Sequence, residues 1–199
     1  MRNRSARWHI RDGRPRTGVP AGVRDWLVAT GSLTGRLRRD CRGAFRVRVL
    51  GQGWQRPTLE EAVRLGVDRR RRVWTREVAL CCGDSPRILA RTVVPARSLR
   101  GGNGMLQRLG SRPLGQLLFR GGGSAREALE LARLRGTDEL ARRLGAATGL
   151  RLDDCWARRR IHYLRGRPLL VAEVFLPEVF GRDAGRGVHR EDGDDGLAR

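Results

Sequence analysis

The sequence predicts a single α+β domain built on an antiparallel sheet with helices packed on it. Three observations point there. Two alternating segments, 73–82 and 87–95, are separated by C-G-D-S-P, which has hairpin-turn chemistry. A second pair, 158–164 and 168–176, flanks Arg165-Gly166-Arg167 in the same way. The helical patterns are grouped between these hairpins rather than alternating with the strands, which argues against a parallel nucleotide-binding sheet.

In chain order, residues 1–21 are polar with Pro and Gly, and read as a surface segment anchored by Trp8. The main domain is expected over 22–180. V-R-D-W-L-V-A-T (23–30) reads as a short helix stopped at Gly31. A-F-R-V-R-V-L (44–50) alternates strictly, placing Phe45, Val47 and Val49 on one side of a strand. Thr58 followed by Glu61 forms a capping box for L-E-E-A-V-R-L, which ends at Gly66. Residues 104–119 carry two short helical pieces, with Pro113 suited to the first turn of the second. Ser124 and Glu127 predict another capped helix over 124–135, stopped by Gly136, and Thr137 caps a further one over 137–148. Residues 181–199 have almost no apolar content and are expected to be a disordered tail.

The 199 residues hold 42 basic and 21 acidic side chains, a net +21. Taken alone, that charge suggests a nucleic-acid partner. However, every basic residue is Arg and none is Lys, and Gly is abundant at 27. This pattern reads as a GC-rich coding bias at tolerant surface positions, so no nucleic-acid partner is expected. Arg69–Arg72 and Arg158–Arg160 are read as solvated faces. A basic surface still attracts small anions, carboxylates included. No apolar run approaches the ~20 residues of a membrane span, so no stable membrane insertion is expected. The four cysteines (41, 81, 82 and 155) and three histidines lack metal-site spacing, so no metal is expected and the thiols are read as reduced, in a cytoplasmic protein. The Gly-rich stretches 101–104 and 121–123 are not followed by Gly-Lys-Ser/Thr and read as loops.

The informative residues are charges that break the alternation. Arg76 sits among Trp74, Val78, Leu80 and Cys82, and Glu173 among Leu169, Val171 and Phe175. Leu89 and Val93 flank Arg91. A buried charge without a partner costs several kcal/mol, so each needs a counter-charge or a ligand. Periodicity leaves two readings open. One is a structural ion pair such as Arg76–Glu173, or strands buried on one side only. The other is a pocket over the sheet in which Arg76 and Arg91 receive carboxylates and Glu173 meets a hydroxyl or a transferable proton. Arg suits the second task because its planar fork matches a carboxylate.

At these residues the chain also resembles a known family. The blocks W-T-R-E-V-A-L-C (74–81), A-R-T-V-V-P (90–95), L-Q-R-L-G-S-R-P-L-G-Q-L-L-F (106–119) and R-P-L-L-V-A-E-V-F-L-P (167–177), with D-W-L (25–27) and G-S-L-T-G-R-L (31–37), resemble chorismate lyase over roughly 8–180. The resemblance implies an antiparallel sheet of about six strands, with the ligand enclosed beneath two helical flaps. It implies elimination of pyruvate from chorismate to give 4-hydroxybenzoate for ubiquinone biosynthesis, with no cofactor. The family's strand Arg falls on Arg76 and its C-terminal-strand Glu on Glu173. Backbone contacts from the flaps fall on Leu33 and Leu114, and Arg91 is a further substrate-binding candidate. The partners implied are chorismate, 4-hydroxybenzoate and pyruvate, and a monomer is expected. The segment 125–155 is longer than in compact relatives by about one helix. A metabolite-sensing domain of the same architecture, without catalysis, is the alternative.

Overall fold

The computed structural model describes residues 6–10, 19–119 and 127–180. The expected 181–199 tail lies outside the described residues. The elements run in chain order β1 (His9–Ile10), α1 (Ala21–Leu27), α2 (Leu33–Asp40), β2 (Phe45–Gln55), α3 (Leu59–Leu65), β3 (Val73–Cys82), β4 (Ser85–Pro95), α4 (Leu114–Phe119), β5 (Glu130–Arg133), α5 (Glu139–Thr148), β6 (Trp156–Leu164) and β7 (Arg167–Phe175). The strands form one sheet in the order β1-β5-β6-β7-β4-β3-β2, and every neighbouring pair is antiparallel. Six strands have four residues or more, and β1 adds a two-residue edge.

Both hairpins form where the turn chemistry places them. Gly83-Asp84 joins β3 to β4 and Arg165-Gly166 joins β6 to β7. Arg165 and Gly166 both have positive φ (50° and 71°), the backbone that a tight turn between right-twisted strands needs. The capping box at α3 is complete: Thr58 Oγ1 accepts from Glu61 N at 3.1 Å, and Glu61 Oε2 accepts from Thr58 N at 2.9 Å.

Helices cover both faces of the sheet. On one face α1 and α2 bury Val23, Leu27, Leu33 and Leu37 against Val78, Leu80, Ile88 and Phe175. Beside them Leu106, Leu109 and Leu118 pack on Val94, Leu169 and Val171. On the other face α5 buries Ala141 and Leu144 against Ala79, Leu89, Ala157 and Val174, and Leu65 of α3 meets Val93 and Leu170. Consecutive strand residues therefore serve opposite layers, which explains why β3, β4 and β7 are apolar on both sides.

Three expectations are corrected. The helix expected over 124–135 is absent from its described part, where 127–129 are irregular and 130–133 form β5. The spacing of Leu129, Leu131 and Leu134 fits either period over so short a run. Strand pairing wins because it seats Glu130 on Arg159 and Arg64. At the next helix Asp138, not Thr137, occupies the N-cap position. Its carboxylate accepts from Arg135 N at 2.7 Å rather than capping α5. Finally, not all four cysteines are free: Cys41 and Cys82 form a disulfide with Cα atoms 5.5 Å apart. Cys82 points to the α2 side of β3, where the carboxyl end of α2 delivers Cys41. Cys81 points the other way into the apolar layer, and buried Cys155 has its thiol pushed up to about 11 by desolvation and then by nearby acids.

Candidate active site

A cavity of about 70 Å³ lies on the face covered by α1, α2 and α4. Its floor is the sheet: Arg76, Val78 and Leu80 of β3, Ala90 and Thr92 of β4, Val171 and Glu173 of β7, and Arg158 and His162 of β6. Its roof is the first turn of α2, at Gly31–Thr34, and the start of α4, at Pro113–Gly115 with Leu118. Leu33 and Leu114 thus border the cavity from opposite sides. The first turn of α2 is held by Ser32, whose Oγ accepts from Gly35 N at 3.2 Å.

Arg76 is the unusual group. Only 4% of it is exposed. Its Nη2 donates to the carbonyls of Gly110 (2.8 Å) and Arg112 (3.0 Å), which lead into α4. Among the described residues no carboxylate pairs with it, and its buried Nε has no hydrogen-bond partner. Burial alone lowers its pKa from the ordinary arginine value. A guanidinium nevertheless stays protonated in proteins, so the cavity wall carries an uncompensated cation.

Glu173 faces the same cavity but does not pair with Arg76. Its Oε2 accepts from Arg158 Nε at 2.5 Å. Among the described residues no hydrogen bond engages Oε1. Arg158 also reaches the carboxyl end of α1: its Nη1 donates to Ala29 O (2.9 Å), Leu27 O (3.2 Å) and Trp26 O (3.4 Å). One guanidinium thus joins the Glu173 carboxylate to the segment that leads into α2. The expectation of a solvated 158–160 run is corrected here, since Arg158 and Arg159 are both buried. Arg158 lies on the cavity face with His162, and Arg159 on the opposite one. The sequence signal was present in the alternation of Arg158, Arg160 and His162, but the run of three arginines obscured it.

Arg91 is also corrected. The register sets Arg76 opposite Thr92 and Glu77 opposite Arg91, so Arg91 belongs to the far face. It is fully buried. Its Nε donates to Glu61 Oε1 at 2.7 Å and its Nη1 to Glu77 Oε1 at 2.5 Å. Desolvation alone would lower its pKa, but Glu61 and then Glu77 outweigh it and hold the guanidinium above its ordinary value. Thr92, which sequence reasoning passed over, occupies the cavity place instead.

A family model described as chorismate lyase matches residues 5–184. The chain belongs to the chorismate lyase family. Relatives named probable chorismate pyruvate-lyase include one from Aromatoleum aromaticum, 42% identical over 90% of this chain and 96% of its own. Another, from Halorhodospira halophila, is 46% identical over 83% of this chain and 85% of its own. Among solved structures, the ligand-binding domain of a putative GntR-family transcriptional regulator from Bordetella bronchiseptica is 22% identical, with a TM-score of 0.47, over 67% of this chain and 86% of that chain. The cavity floor thus presents a cation without a counter-charge among the described residues beside a carboxylate with one oxygen unengaged.

Proposed function

We propose that this protein eliminates pyruvate from chorismate to give 4-hydroxybenzoate, a product that feeds ubiquinone biosynthesis. The observation that carries the reading is Arg76, a buried guanidinium on the cavity wall with no carboxylate partner among the described residues. Chorismate brings two carboxylates on a ring diene, with an enolpyruvyl ether beside a hydroxyl-bearing carbon. In the reaction the ring–oxygen ether bond breaks, the hydrogen on the hydroxyl-bearing carbon leaves as a proton, and the released enolpyruvate takes a proton to become pyruvate. The ring becomes aromatic, so product stability drives the elimination and no electron acceptor is required.

The protein's tasks are then positioning, charge neutralisation and exclusion of water. Arg76 receives a substrate carboxylate in a pocket of low polarity, where a charge-assisted bond is strong. Main-chain N–H groups at Leu33 and Leu114 complete the contacts from above. Glu173, held from behind by Arg158, turns Oε1 to the ring hydroxyl and is the candidate to help move the proton. Movement of α2 or α4, which cover the cavity, gates admission and release. The test is to incubate purified protein with chorismate and follow both products. Equimolar 4-hydroxybenzoate and pyruvate are expected; chorismate bound but unchanged at high enzyme concentration would make the protein a binding module instead.

A further inference from the structure

Chorismate carries two carboxylates, and Arg76 accounts for one of them. The other, on the enolpyruvyl ether, leaves as part of pyruvate. Of the residues that line the cavity, Arg76, Arg158 and His162 can carry positive charge. The sheet register separates the three. Arg158 stands directly opposite Glu173 in the β6–β7 pair, and His162 lies four residues further along β6. At ~3.3 Å per residue, His162 is about 13 Å along the strand from Arg158. Arg76 is on β3, with β4 between it and the strand of Glu173. Arg158 is therefore the cation beside Glu173.

The hydrogen bonds of Arg158 leave one nitrogen over. Its Nε is taken by Glu173 Oε2, and its Nη1 by the carbonyls of Trp26, Leu27 and Ala29. Nη2 donates to nothing among the described residues. Nor is it one of the buried atoms that lack a partner, a group that includes Arg76 Nε. An unpaired atom that is not buried is open to solvent, and the space that Arg158 lines is the cavity. The guanidinium is a rigid planar fork in which one Nη2–H runs parallel to the Nε–H. The spare donor therefore points to the side of the plane's edge where Glu173 sits.

Substrate chemistry says what meets that donor. In chorismate the hydroxyl-bearing carbon and the ether-bearing carbon are neighbours, while the ring carboxylate is across the ring from the hydroxyl. With the ring carboxylate on Arg76 and the hydroxyl on Glu173 Oε1, the ether springs from the carbon next to the one that Glu173 holds. Its carboxylate then comes to the guanidinium that holds Glu173.

We propose that Arg158 binds the enolpyruvyl carboxylate through Nη2, and so is a substrate-binding residue as well as the positioning residue of Glu173. The proposal rests on the chorismate reading and adds the partner of the group that leaves. When the ring–oxygen bond breaks, its electron pair goes to the ether oxygen, and Arg158 lies beside the enolpyruvate that carries it away. 4-Hydroxybenzoate lacks the second carboxylate, so this contact favours substrate over product.

The test compares two ligands of equal size, 3-(carboxymethoxy)-4-hydroxybenzoate and its 3-(carbamoylmethoxy) analogue, by calorimetric titration of the full chain, with 4-hydroxybenzoate as reference. The wild type should bind the carboxylate at least ~10-fold more tightly than the amide, because a charge-assisted bond in a site of low polarity is strong. In Arg158→Met that preference should fall below ~2-fold, since the charge partner is gone. In Glu173→Gln it should persist, because Arg158 remains. Circular dichroism checks folding. If Arg158→Met does not fold, the double variant Arg158→Met with Glu173→Leu removes the pair without leaving a lone buried charge. The preference should vanish there and persist in Glu173→Leu alone. A preference retained without Arg158, or lost in Glu173→Gln, would overturn the proposal, as would equal binding of the two ligands to the wild type. Failure of 4-hydroxybenzoate itself to bind would overturn the chorismate reading, and this proposal with it.

Discussion

The two faces of the sheet treat buried arginine in opposite ways. On the far face Arg91 is fully buried and meets Glu61 and Glu77, and Arg159 meets Glu130 and Glu60. Each guanidinium there is matched within the protein, and the charges hold α3 and β5 to the sheet. On the cavity face Arg76 is nearly as buried but has carbonyl oxygens and no carboxylate among the described residues. Arg158 lies between these cases, sharing itself between Glu173 and the end of α1. On the far face, removing either partner would leave a buried charge uncompensated, whereas on the cavity face our proposal has the substrate supply the counter-charge of Arg76.

Substitutions can break or sharpen this contrast. Arg91→Met should lose the most stability, about 3–5 kcal/mol, because Glu61 and Glu77 would remain buried without their cation. Denaturant unfolding measures the loss, while turnover per folded molecule should stay near wild type. Arg158→Met should cost about 3 kcal/mol and lower kcat/KM as well, since it releases both Glu173 and the carbonyls of α1. Arg158→Lys should recover only part of either effect, because one ammonium cannot span both ends. Reducing the Cys41–Cys82 bond, which closes a 41-residue separation, should remove about 2–4 kcal/mol. The shift in unfolding midpoint with and without a thiol reductant reads it, and Cys41→Ser should abolish the shift. Thr58→Ala, which removes one half of the α3 capping box on the far face, should cost only about 1 kcal/mol and leave kcat unchanged.

Much of the site was legible because Arg76 and Glu173 interrupt long apolar alternations, and an interruption of that kind demands an explanation. The place of Arg91 was not legible from the same signal. Period-2 alternation says that residues share a side of their own strand, but not which layer that side meets, and only the β3–β4 register resolves it. Arg158 was hidden by its neighbours, since in R-R-R alternate residues go to opposite layers and the run looks solvated. The strand at 130–133 was missed because its short apolar pattern fits a helix equally well, and the deciding contacts of Glu130 come from distant residues. The Cys41–Cys82 bond depends on how α2 lies over β3, which no local pattern records. The hairpins and the α3 capping box were legible because their determinants are local.

The central claim is that Arg76 is held without an internal counter-charge in order to bind a carboxylate. The most direct measurement is the affinity of 4-hydroxybenzoate for the wild type and for Arg76→Met, taken with the unfolding free energy of each. The account predicts at least ~30-fold weaker binding, as when a buried charge partner is removed. It also predicts stability within about 1 kcal/mol of wild type, because an unmatched buried charge is replaced by an apolar side chain of similar reach. Unchanged affinity, or a loss of stability as large as that of Arg91→Met, would contradict it.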